Sequence, residues 1–569
     1  MNTTPITPAK TAKANKTARA PKAATPLVAS HFQETLVLNQ WLISLLGVDP
    51  LAPHLDAGRV QRPLELLAKT LRDATPGIGS DGKHGFAKAL VSHLQPAALL
   101  TPTDIERYDA AIVQHTQAIN ARRTLPLQWK YFQWLTLLFV EVYLDRYFND
   151  RQGLCDALNA YVVRFNTHHA AQGRATGIGP YALDDLNKVC LQNATGSGKT
   201  LLMHVNLRQF AQHARSAGQA DHYSRVIVLS PNERLSAQHE RELRASGFHP
   251  EALRQESDLA SRGQSALDTP LLTEITKLAD EQKVKQMAVD SFGDANLLLV
   301  DEGHRGMSGS DWKRKRDKLA ATGFTFEYSA TFKQAVKAAN DRLLAESYAR
   351  AVLFDYSYRF FYADGYGKDY RIFNLPKDEL AHKDAYLTAA LLAFYQQLRM
   401  FAEAGKRYDG YNLEKPLWVF VGANVTGKKV DDEAVSPSDV AQILDFIARF
   451  LARRSEAEAR IQQVLVGNAQ QTGLIDTKGQ DIFVQSFPYL KATQQTAADI
   501  YADICERLFH APGGGHLVVE RVRGDSGELL LKVGESDTPF GVINVGDAVT
   551  LAKHQIGRAS CRERVLASV

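Results

Sequence analysis

Apolar residues recur at two different spacings along the chain, and the change between them separates two regions. Over residues 31–165, large apolar and aromatic side chains recur three and four positions apart, as at Trp41, Leu42 and Leu45. This spacing places them on one face of a helix and predicts an all-α N-terminal domain over residues 29–170. The aromatic residues of this domain are predicted to be core residues, with a stacking platform for bases as the alternative.

After about Asp184 the pattern changes to short apolar runs separated by long helical stretches. This alternation is typical of a parallel β-sheet with crossover helices, and it predicts an α/β fold with helices on both faces of the sheet. In such sheets the chemistry lies at the carboxyl ends of the strands. The predicted strands are Val189–Leu191, Val226–Leu229, Leu297–Val300 and Thr325–Tyr328.

A second region with a similar pattern begins at Leu417–Val421. We interpret residues 415–555 as a second, incomplete lobe of the same class. Its further predicted elements are helices around Asp439–Arg453 and Ala492–Phe509, and a hairpin with strands His516–Val522 and Glu528–Val533. Residues 353–414 are predicted to be a linker or insertion, and its aromatic segment Tyr356–Tyr362 to be packed rather than a ligand site.

The composition indicates a folded protein with several hydrophobic cores. The chain has 569 residues, of which 45% are hydrophobic and 23% charged, and this excludes overall disorder. Its 4 Cys are too few and too scattered for a disulfide framework. The longest apolar stretch, Tyr131–Tyr143, contains Glu141 and is predicted to be a buried helix rather than a membrane span. We therefore expect a cytoplasmic protein without membrane contact.

The net charge of +4 is unevenly distributed. Residues 1–28 carry about +5 without an acidic residue and predict a disordered basic tail, with a targeting peptide as the alternative. Residues 556–569 add about +2, which leaves about −3 for the folded body. This excludes a protein that coats DNA through its overall charge, so any nucleic-acid contact must be local.

A glycine-rich segment, Ala194–Thr200, follows the first predicted strand and precedes a helical run at Leu201–Gln212. The phosphates of a nucleotide need backbone N–H groups that can approach closely, the positive end of a helix and one mobile ammonium group. Gly196 and Gly198 permit the close approach, and Lys199 supplies the ammonium group. The segment is therefore a candidate phosphate loop.

Two other positions refine this prediction. The hydroxyl of Thr200 is predicted to bind Mg²⁺. The strict pattern G-x-x-x-x-G-K-[ST] requires glycine where this chain has Asn193, which argues against a generic kinase and fits a variant with a less restricted first position. A glycine-rich helix start without a ligand is the alternative.

Two adjacent carboxylates follow the apolar run Leu297–Val300 directly. A buried strand that ends this way places Asp301 at its tip, where the carboxylate can hold Mg²⁺, largely through water. Glu302 then points towards the γ-phosphate and can act as the base that orients the attacking water. Acidic pairs are mostly solvated turns, but four preceding apolar residues argue against that alternative.

Two further segments follow predicted strands. Ser329–Thr331 has two hydroxyls around a small residue, and Pro231–Gln238 has leucine and glutamine four and seven positions after the proline. Neither pattern is informative alone. In chain order, four segments resemble motifs I, Ia, II and III of superfamily 2 DEAD/DEAH-box (DExH) helicases related to the restriction (Res) subunit of type III restriction enzymes. These segments are Thr195–Thr200, Pro231–Gln238, Asp301–His304 and Ser329–Thr331, respectively.

This resemblance is strong over residues 185–350 and weaker over 415–550. It implies two RecA-like P-loop lobes, the first at 185–352, with ATP and Mg²⁺ between them. It further implies an ATP-dependent helicase or translocase that moves on DNA, with duplex DNA expected, in a restriction-modification or phage-defence system that can include other subunits.

The same resemblance implies the residue roles. The ATP-binding residues would be Thr195, Gly196, Ser197, Gly198, Lys199 and Thr200. The catalytic residues would be Lys199, Asp301, Glu302 and His304, with Thr200 and Asp301 at the metal. Coupling to strand movement would involve His304, Ser329 and Thr331, and contacts with the nucleic acid would involve Pro231, Asn232 and Arg234. The basic cluster Lys313–Arg316 is either another DNA contact or a solvated helix face.

The end of the chain does not follow the family pattern. Residues 556–565 are similar to the translation of a common sequencing-adapter stretch. The glutamine-to-glycine spacing at Gln555–Gly557 also differs from the arginine-bearing motif VI of these helicases. We therefore expect residues 556–569 to be non-native read-through and the second lobe to be incomplete.

Two other functions remain as alternatives. A metal-dependent nuclease subunit would use Asp525, Glu528 and Lys532, although the lysine stands four residues after the glutamate where a nuclease strand would have two. These three are predicted to be surface residues of a hairpin. A nucleotide-gated DNA-binding scaffold would bind ATP without translocation.

Overall fold

The computed structural model describes residues 32–56, 59–174, 176–253, 267–279, 287–303, 310–367, 382–407, 413–421, 428–430, 434–436, 439–466, 469–476, 478–483, 486–522 and 528–544. The chain forms two compact units, Met1–Lys368 and Asp369–Val569. In the described part of the chain, no helix is long and apolar enough to cross a membrane.

The first unit combines a helical region with a seven-stranded parallel sheet. Its helices are α1 Val37–Ser44, α2 Pro63–Arg72, α3 Gly85–Ser92, α4 Pro102–Asn120, α5 Tyr131–Asn149, α6 Arg151–Ala171, α7 Lys199–Ser216, α8 Glu233–Ala245, α9 Ser310–Leu319, α10 Phe332–Ala339, α11 Arg342–Ala351 and α12 Tyr358–Ala363. Short 3₁₀ helices lie at Phe32–Thr35, Leu183–Asn187, Ala220–His222, Ile275–Lys277 and Val289–Phe292. Both α2 and α4 begin with proline, which suits the first helical position because it lacks an N–H.

The strands of this unit are β1 His54–Asp56, β2 Arg59–Gln61, β3 Lys188–Asn193, β4 Arg225–Ser230, β5 Glu251–Ala252, β6 Leu271–Glu274, β7 Leu278–Ala279, β8 Met287–Ala288, β9 Asn296–Asp301, β10 Phe324–Ser329 and β11 Val352–Tyr356. The large sheet has the order β11-β3-β10-β9-β4-β6-β5, and all its neighbouring strands are parallel. The predicted α/β fold and its four predicted strands are confirmed. The helical N-terminal region also contains the antiparallel pair β1–β2, which the all-α prediction did not include.

Helices cover both faces of the sheet. The apolar residues of its strands point alternately into two hydrophobic cores, one on each face. Leu297 and Leu299 of β9 belong to a core that also contains the helical N-terminal region, including Trp134 and Leu138 of α5. Leu298 of β9 belongs to a smaller core on the other face. Strands that are buried on both faces form continuous apolar runs, and this explains the four runs in the sequence.

The second unit contains helices α13 Lys383–Ala404, α14 Asp439–Ala452, α15 Arg454–Val466, α16 Ala469–Thr472, α17 Pro488–Ala492 and α18 Ala497–Arg507. Its strands are β12 Lys428–Val430, β13 Ala434–Ser436, β14 Leu517–Arg521, β15 Glu528–Val533 and β16 Gly541–Asn544. The predicted hairpin is present as β14 and β15, which pair antiparallel, and β16 extends it. This unit has a core of its own.

The described strands of the second unit pair antiparallel, whereas the sequence predicts a second parallel sheet there. Leu417–Val421, the expected first strand, is not assigned to a strand, and Leu417 and Val421 are 82% and 91% exposed. An apolar run forms a strand only where another strand supplies its hydrogen-bond partners, and the described residues supply none here. The predicted domain boundaries, including 415–555 for the second lobe, stay predictions.

Candidate nucleotide site

The candidate phosphate loop joins the carboxyl end of β3 to the start of α7. Gly196 and Gly198 have φ angles of 83° and 90°, in the left-handed region that favours glycine. Among the described residues, the backbone N–H groups of Gly196, Gly198, Lys199 and Thr200 have no acceptor. Because these donors include the first N–H groups of α7, the loop combines unpaired donors with the positive end of a helix dipole.

Buried polar atoms beside the loop also lack partners among the described residues. The Oγ of Ser197 and both amide atoms of Asn193 are buried without a hydrogen bond. The ammonium group of Lys199 lies 3.4 Å from the carbonyl oxygen of Asn193. Burying unpaired polar groups is unfavourable, so a site with one ammonium group and several unpaired donors fits a polyphosphate ligand.

The acid pair lies at the tip of β9, as the sequence predicts. Burial raises the pKa of Asp301, but the hydrogen bond and charge of His239 and the charge of Lys199 outweigh burial and lower that pKa. Asp301 is therefore ionised at neutral pH, as a ligand of a divalent cation must be. The Lys199 charge therefore acts on Asp301 across the edge of the sheet.

Glu302 adopts a left-handed backbone conformation with a φ of 52°. This conformation costs a non-glycine residue about 1 kcal/mol, and neighbouring hydrogen bonds hold it in place. The N–H of Glu302 donates to Asp301 Oδ1 at 3.0 Å, and the N–H of Gly303 donates to the Tyr328 carbonyl at 3.0 Å. Arg316 donates to the Gly303 carbonyl at 2.9 Å. Three hydrogen bonds therefore fix the conformation of the turn after β9.

His239 is a residue of this site that the sequence analysis missed. It lies on α8, is 2% exposed, and its Nε2 is 2.9 Å from Asp301 Oδ2. Its Nδ1 is buried without a hydrogen-bond partner among the described residues. A single histidine on a polar helix carries no signal in one sequence, and only the tertiary contact reveals it. His239 joins the helix after β4 to the tip of β9.

The four segments singled out in the sequence lie at one edge of the sheet, at the carboxyl ends of β3, β10, β9 and β4 in that spatial order. Tyr328 of β10 pairs with Asp301 of β9, and Ser329 pairs with Gln192 of β3. At about 4.8 Å between neighbouring strands, β3 and β9 are about 10 Å apart. A lysine side chain together with a triphosphate spans that distance.

Residues 154–334 match the family model described as "Type III restriction enzyme, res subunit". This segment is a res-subunit domain. The family belongs to helicase superfamily 2, so the segment is an ATP-dependent helicase- or translocase-type domain. The match includes the whole of α7, α8 and α9 and the strands from β3 to β10.

The chain is also similar to a solved structure, the Sulfolobus solfataricus SWI2/SNF2 ATPase core in complex with dsDNA. The sequence identity is 10%, the TM-score is 0.23, and the alignment covers 57% of this chain and 67% of that chain. A comparison with curated proteins gives no match.

The other predicted site residues of the res-subunit domain are distributed around this edge. Thr195 lies exposed at the start of the loop. Ser329 is buried at the end of β10, where its Oγ accepts the N–H of Thr331 at 3.0 Å. Asn232 caps α8, since its Oδ1 accepts the N–H of Leu235 at 3.0 Å.

Pro231 and Arg234 lie beside that cap. Pro231 connects β4 to α8, and Arg234 is exposed on the first turn of α8. In the described part of the chain, Arg234 has no ion-pair partner. His304 lies outside the described residues, so its predicted position in the res-subunit domain stays a prediction.

The basic cluster Lys313–Arg316 on α9 is not a uniform solvated face. Arg316 is 3% exposed and pairs with Glu327 at 3.2 Å. Lys315 pairs with Asp311 at 2.7 Å and donates to a backbone carbonyl. Arg314 also pairs with Asp311, at 2.8 Å, so three of the four cations have partners within the res-subunit domain.

One residue of the nuclease alternative has an ion-pair partner on the neighbouring strand. Lys532 pairs across the hairpin with Glu520 at 2.8 Å, and Asp525 lies outside the described residues. The described residues contain no group of three or more metal-ligating side chains of the kinds His, Cys, Asp and Glu.

Proposed function

We propose that this chain is an ATP-driven motor that moves on duplex DNA within a restriction or phage-defence system. One observation carries the proposal: a glycine loop with unpaired N–H donors and the Asp301–Glu302 pair lie at the same edge of one parallel sheet, at the ends of β3 and β9, which are separated only by β10. The match to the res-subunit family supports ATP hydrolysis by a helicase- or translocase-type domain.

Different residues of the site would bind the phosphates, hold the metal ion and activate the attacking water. The N–H groups from Gly196 to Thr200 would bind the phosphates, and Lys199 would neutralise the β- and γ-phosphates. Thr200 and Asp301 would hold Mg²⁺, which neutralises phosphate charge when it is bound. Glu302 would accept a proton from the attacking water, or orient that water, from its fixed backbone position.

The contacts of the site support a coupling route to the nucleic acid. Asn232 and Arg234 lie at the start of α8, and His239 on the same helix is bonded to Asp301. A shift of α8 caused by a DNA phosphate at its N-terminus would therefore reach the metal-binding carboxylate directly. Ser329 and Thr331 would transmit changes from the neighbouring strand end.

The test is the rate of ATP hydrolysis by the full chain with and without duplex DNA. The motor predicts that duplex DNA raises the rate several-fold and that Lys199→Ala abolishes both the basal and the stimulated rate. Glu302→Gln should also abolish turnover, because it removes the base.

Two results would contradict the proposal. An ATPase rate that is unchanged by duplex DNA, with Lys199→Ala still inactive, would favour the nucleotide-gated scaffold. Divalent-metal-dependent DNA cleavage without ATP would favour the nuclease alternative. Parallel assays with single-stranded DNA and RNA identify the preferred strand type.

A further inference from the structure

The start of α5, in the helical N-terminal region, contacts the phosphate loop. The side-chain Nε2 of Gln133 donates to the backbone carbonyl of Ser197 at 2.8 Å. The Oε1 of Gln133 accepts the backbone N–H of Lys130 at 2.8 Å. One partner is an obligate acceptor and the other an obligate donor, so the orientation of the amide is fixed by its contacts.

This contact sets the orientation of one peptide group of the loop. In a trans peptide the C=O and N–H point in opposite directions. Since the carbonyl of Ser197 points to Gln133, the N–H of Gly198 points away from α5, and it has no acceptor among the described residues. Gln133 therefore holds an N–H donor of the loop in a fixed direction.

Gly198 and Gln133 fit each other closely. A Cβ at position 198 would lie 2.5 Å from Gln133 Nε2, and the φ of Gly198 is 90°. The glycine at this position is therefore required both by the backbone conformation and by the approach of α5.

Further along its length, α5 makes two polar contacts with α7, the helix that follows the phosphate loop. Gln209 of α7 donates to the carbonyl of Leu137 at 2.9 Å, and His213 Nε2 lies 2.8 Å from Glu141 Oε2. Gln133, Leu137 and Glu141 are four residues apart, so the three contacts form one line along α5. The remainder of α5 is almost entirely buried and apolar.

The first turn of α5 is also anchored to the end of β11. The ring of Phe132 stacks on Tyr356 with centroids 3.9 Å apart and an interplanar angle of 6°. The hydroxyl of Tyr131 donates to Asp364, which also accepts the hydroxyl of Tyr356 at 2.6 Å. Gln133 therefore projects from a fixed helix start rather than from a mobile loop.

We infer that Gln133 is a positioning residue of the nucleotide site and that α5 braces the phosphate loop in its ligand-binding conformation. This inference rests on the proposed function, because it assumes that the loop binds ATP. It assigns a role to the helical N-terminal region, which lies outside the recognisable helicase motifs. Gln133 acts through the loop backbone and needs no contact with the nucleotide.

The test compares ATP affinity between the wild-type chain and Gln133→Glu. The glutamate keeps the shape and can still accept from Lys130, but it places a carboxylate oxygen against the Ser197 carbonyl. We expect ATP to bind about three- to ten-fold more weakly, as for the loss of one net hydrogen bond. ADP affinity should fall similarly, because the Gly198 N–H serves the shared phosphates.

Glu141→Gln is the matched control on the same helix. It weakens the far end of the line of contacts, so we expect a lower melting temperature with unchanged ATP affinity. Gln133→Met provides a second variant of similar length if the glutamate variant does not fold. A purely structural role for Gln133 would instead lower the melting temperature and leave affinity unchanged, as in the control.

Wild-type ATP affinity in folded Gln133→Glu or Gln133→Met, together with a loss of affinity in Lys199→Ala, would overturn the inference alone. A wild-type chain that binds ATP no better than Lys199→Ala would overturn the proposed function and this inference with it. The two failures are therefore distinguishable in one set of binding curves.

Discussion

Buried charged residues, as well as the local sequence, fix the positions of individual residues of the site. Glu327 of β10 is 2% exposed and contacts Lys188 at 2.7 Å, Arg316 at 3.2 Å and the Tyr348 hydroxyl at 3.0 Å. Burial raises the pKa of Glu327, but the charges of Arg316 and Lys188 outweigh it and lower the pKa from its ordinary value of 4.5. Through Arg316, this carboxylate also fixes the turn that follows Glu302.

Glu327→Gln should therefore lower the free energy of unfolding by about 3–5 kcal/mol at neutral pH, because the buried Arg316 and the half-buried Lys188 lose their counter-charge. A lowered folded-state pKa contributes stability that is present above the unfolded-state pKa and is lost as the pH falls through the folded-state pKa. The difference between wild type and variant should thus be constant above pH 4.5 and shrink below it. Urea unfolding at a series of pH values measures this, and a pH-independent difference would contradict the assignment.

The candidate site residues that the sequence identifies are those with a local signal. Gly196, Gly198 and Lys199 are identified by a short contiguous pattern, and Asp301 and Glu302 by the apolar run before them. His239 and Gln133 were missed, because their contacts join positions 62 and 64 residues apart in the chain. One sequence contains no signal for such pairs.

At the scale of elements, the strands that the sequence identified are the ones buried on both faces. Strand β11, Val352–Tyr356, is equally buried, but its residues 353–356 fall in the segment predicted to be a linker, since the strand follows α11 without a break and contains Asp355. The strand Leu271–Glu274 is not among the predicted strands, because only its first two residues are apolar. Leu417–Val421 shows the reverse error, because an apolar run alone does not supply a pairing partner.

Asn232, at the start of α8, has both a structural role and a proposed functional role. Asn232 caps this helix, and it is also a proposed contact to the nucleic-acid backbone. Asn232→Ala should cost about 1 kcal/mol of stability, whereas Asn232→Asp should keep the cap and lose little. The aspartate places a negative charge near the DNA phosphates, so it should weaken duplex binding at low salt. Unchanged binding of Asn232→Asp to duplex DNA would show that Asn232 is a cap only.

At the scale of the whole molecule, the first unit is one structure rather than a helical domain followed by a sheet. Its main core contains residues from α1 to α6 together with β3, β9 and β10. The sequence predicted both parts but not their union, because a change of hydrophobic spacing separates elements and does not show which faces meet. The brace from α5 to the phosphate loop follows from this shared core.

The central claim is that Lys199 and the Asp301–Glu302 pair act on one bound ATP and its magnesium ion. The most direct measurement is the equilibrium affinity of the full chain for ATP with Mg²⁺ present and with Mg²⁺ chelated. Wild type and Glu302→Gln should bind ATP alike and more tightly with Mg²⁺, while Lys199→Ala should bind about ten-fold or more weakly. Equal affinities of wild type and Lys199→Ala, with no effect of Mg²⁺ on either, would contradict the claim.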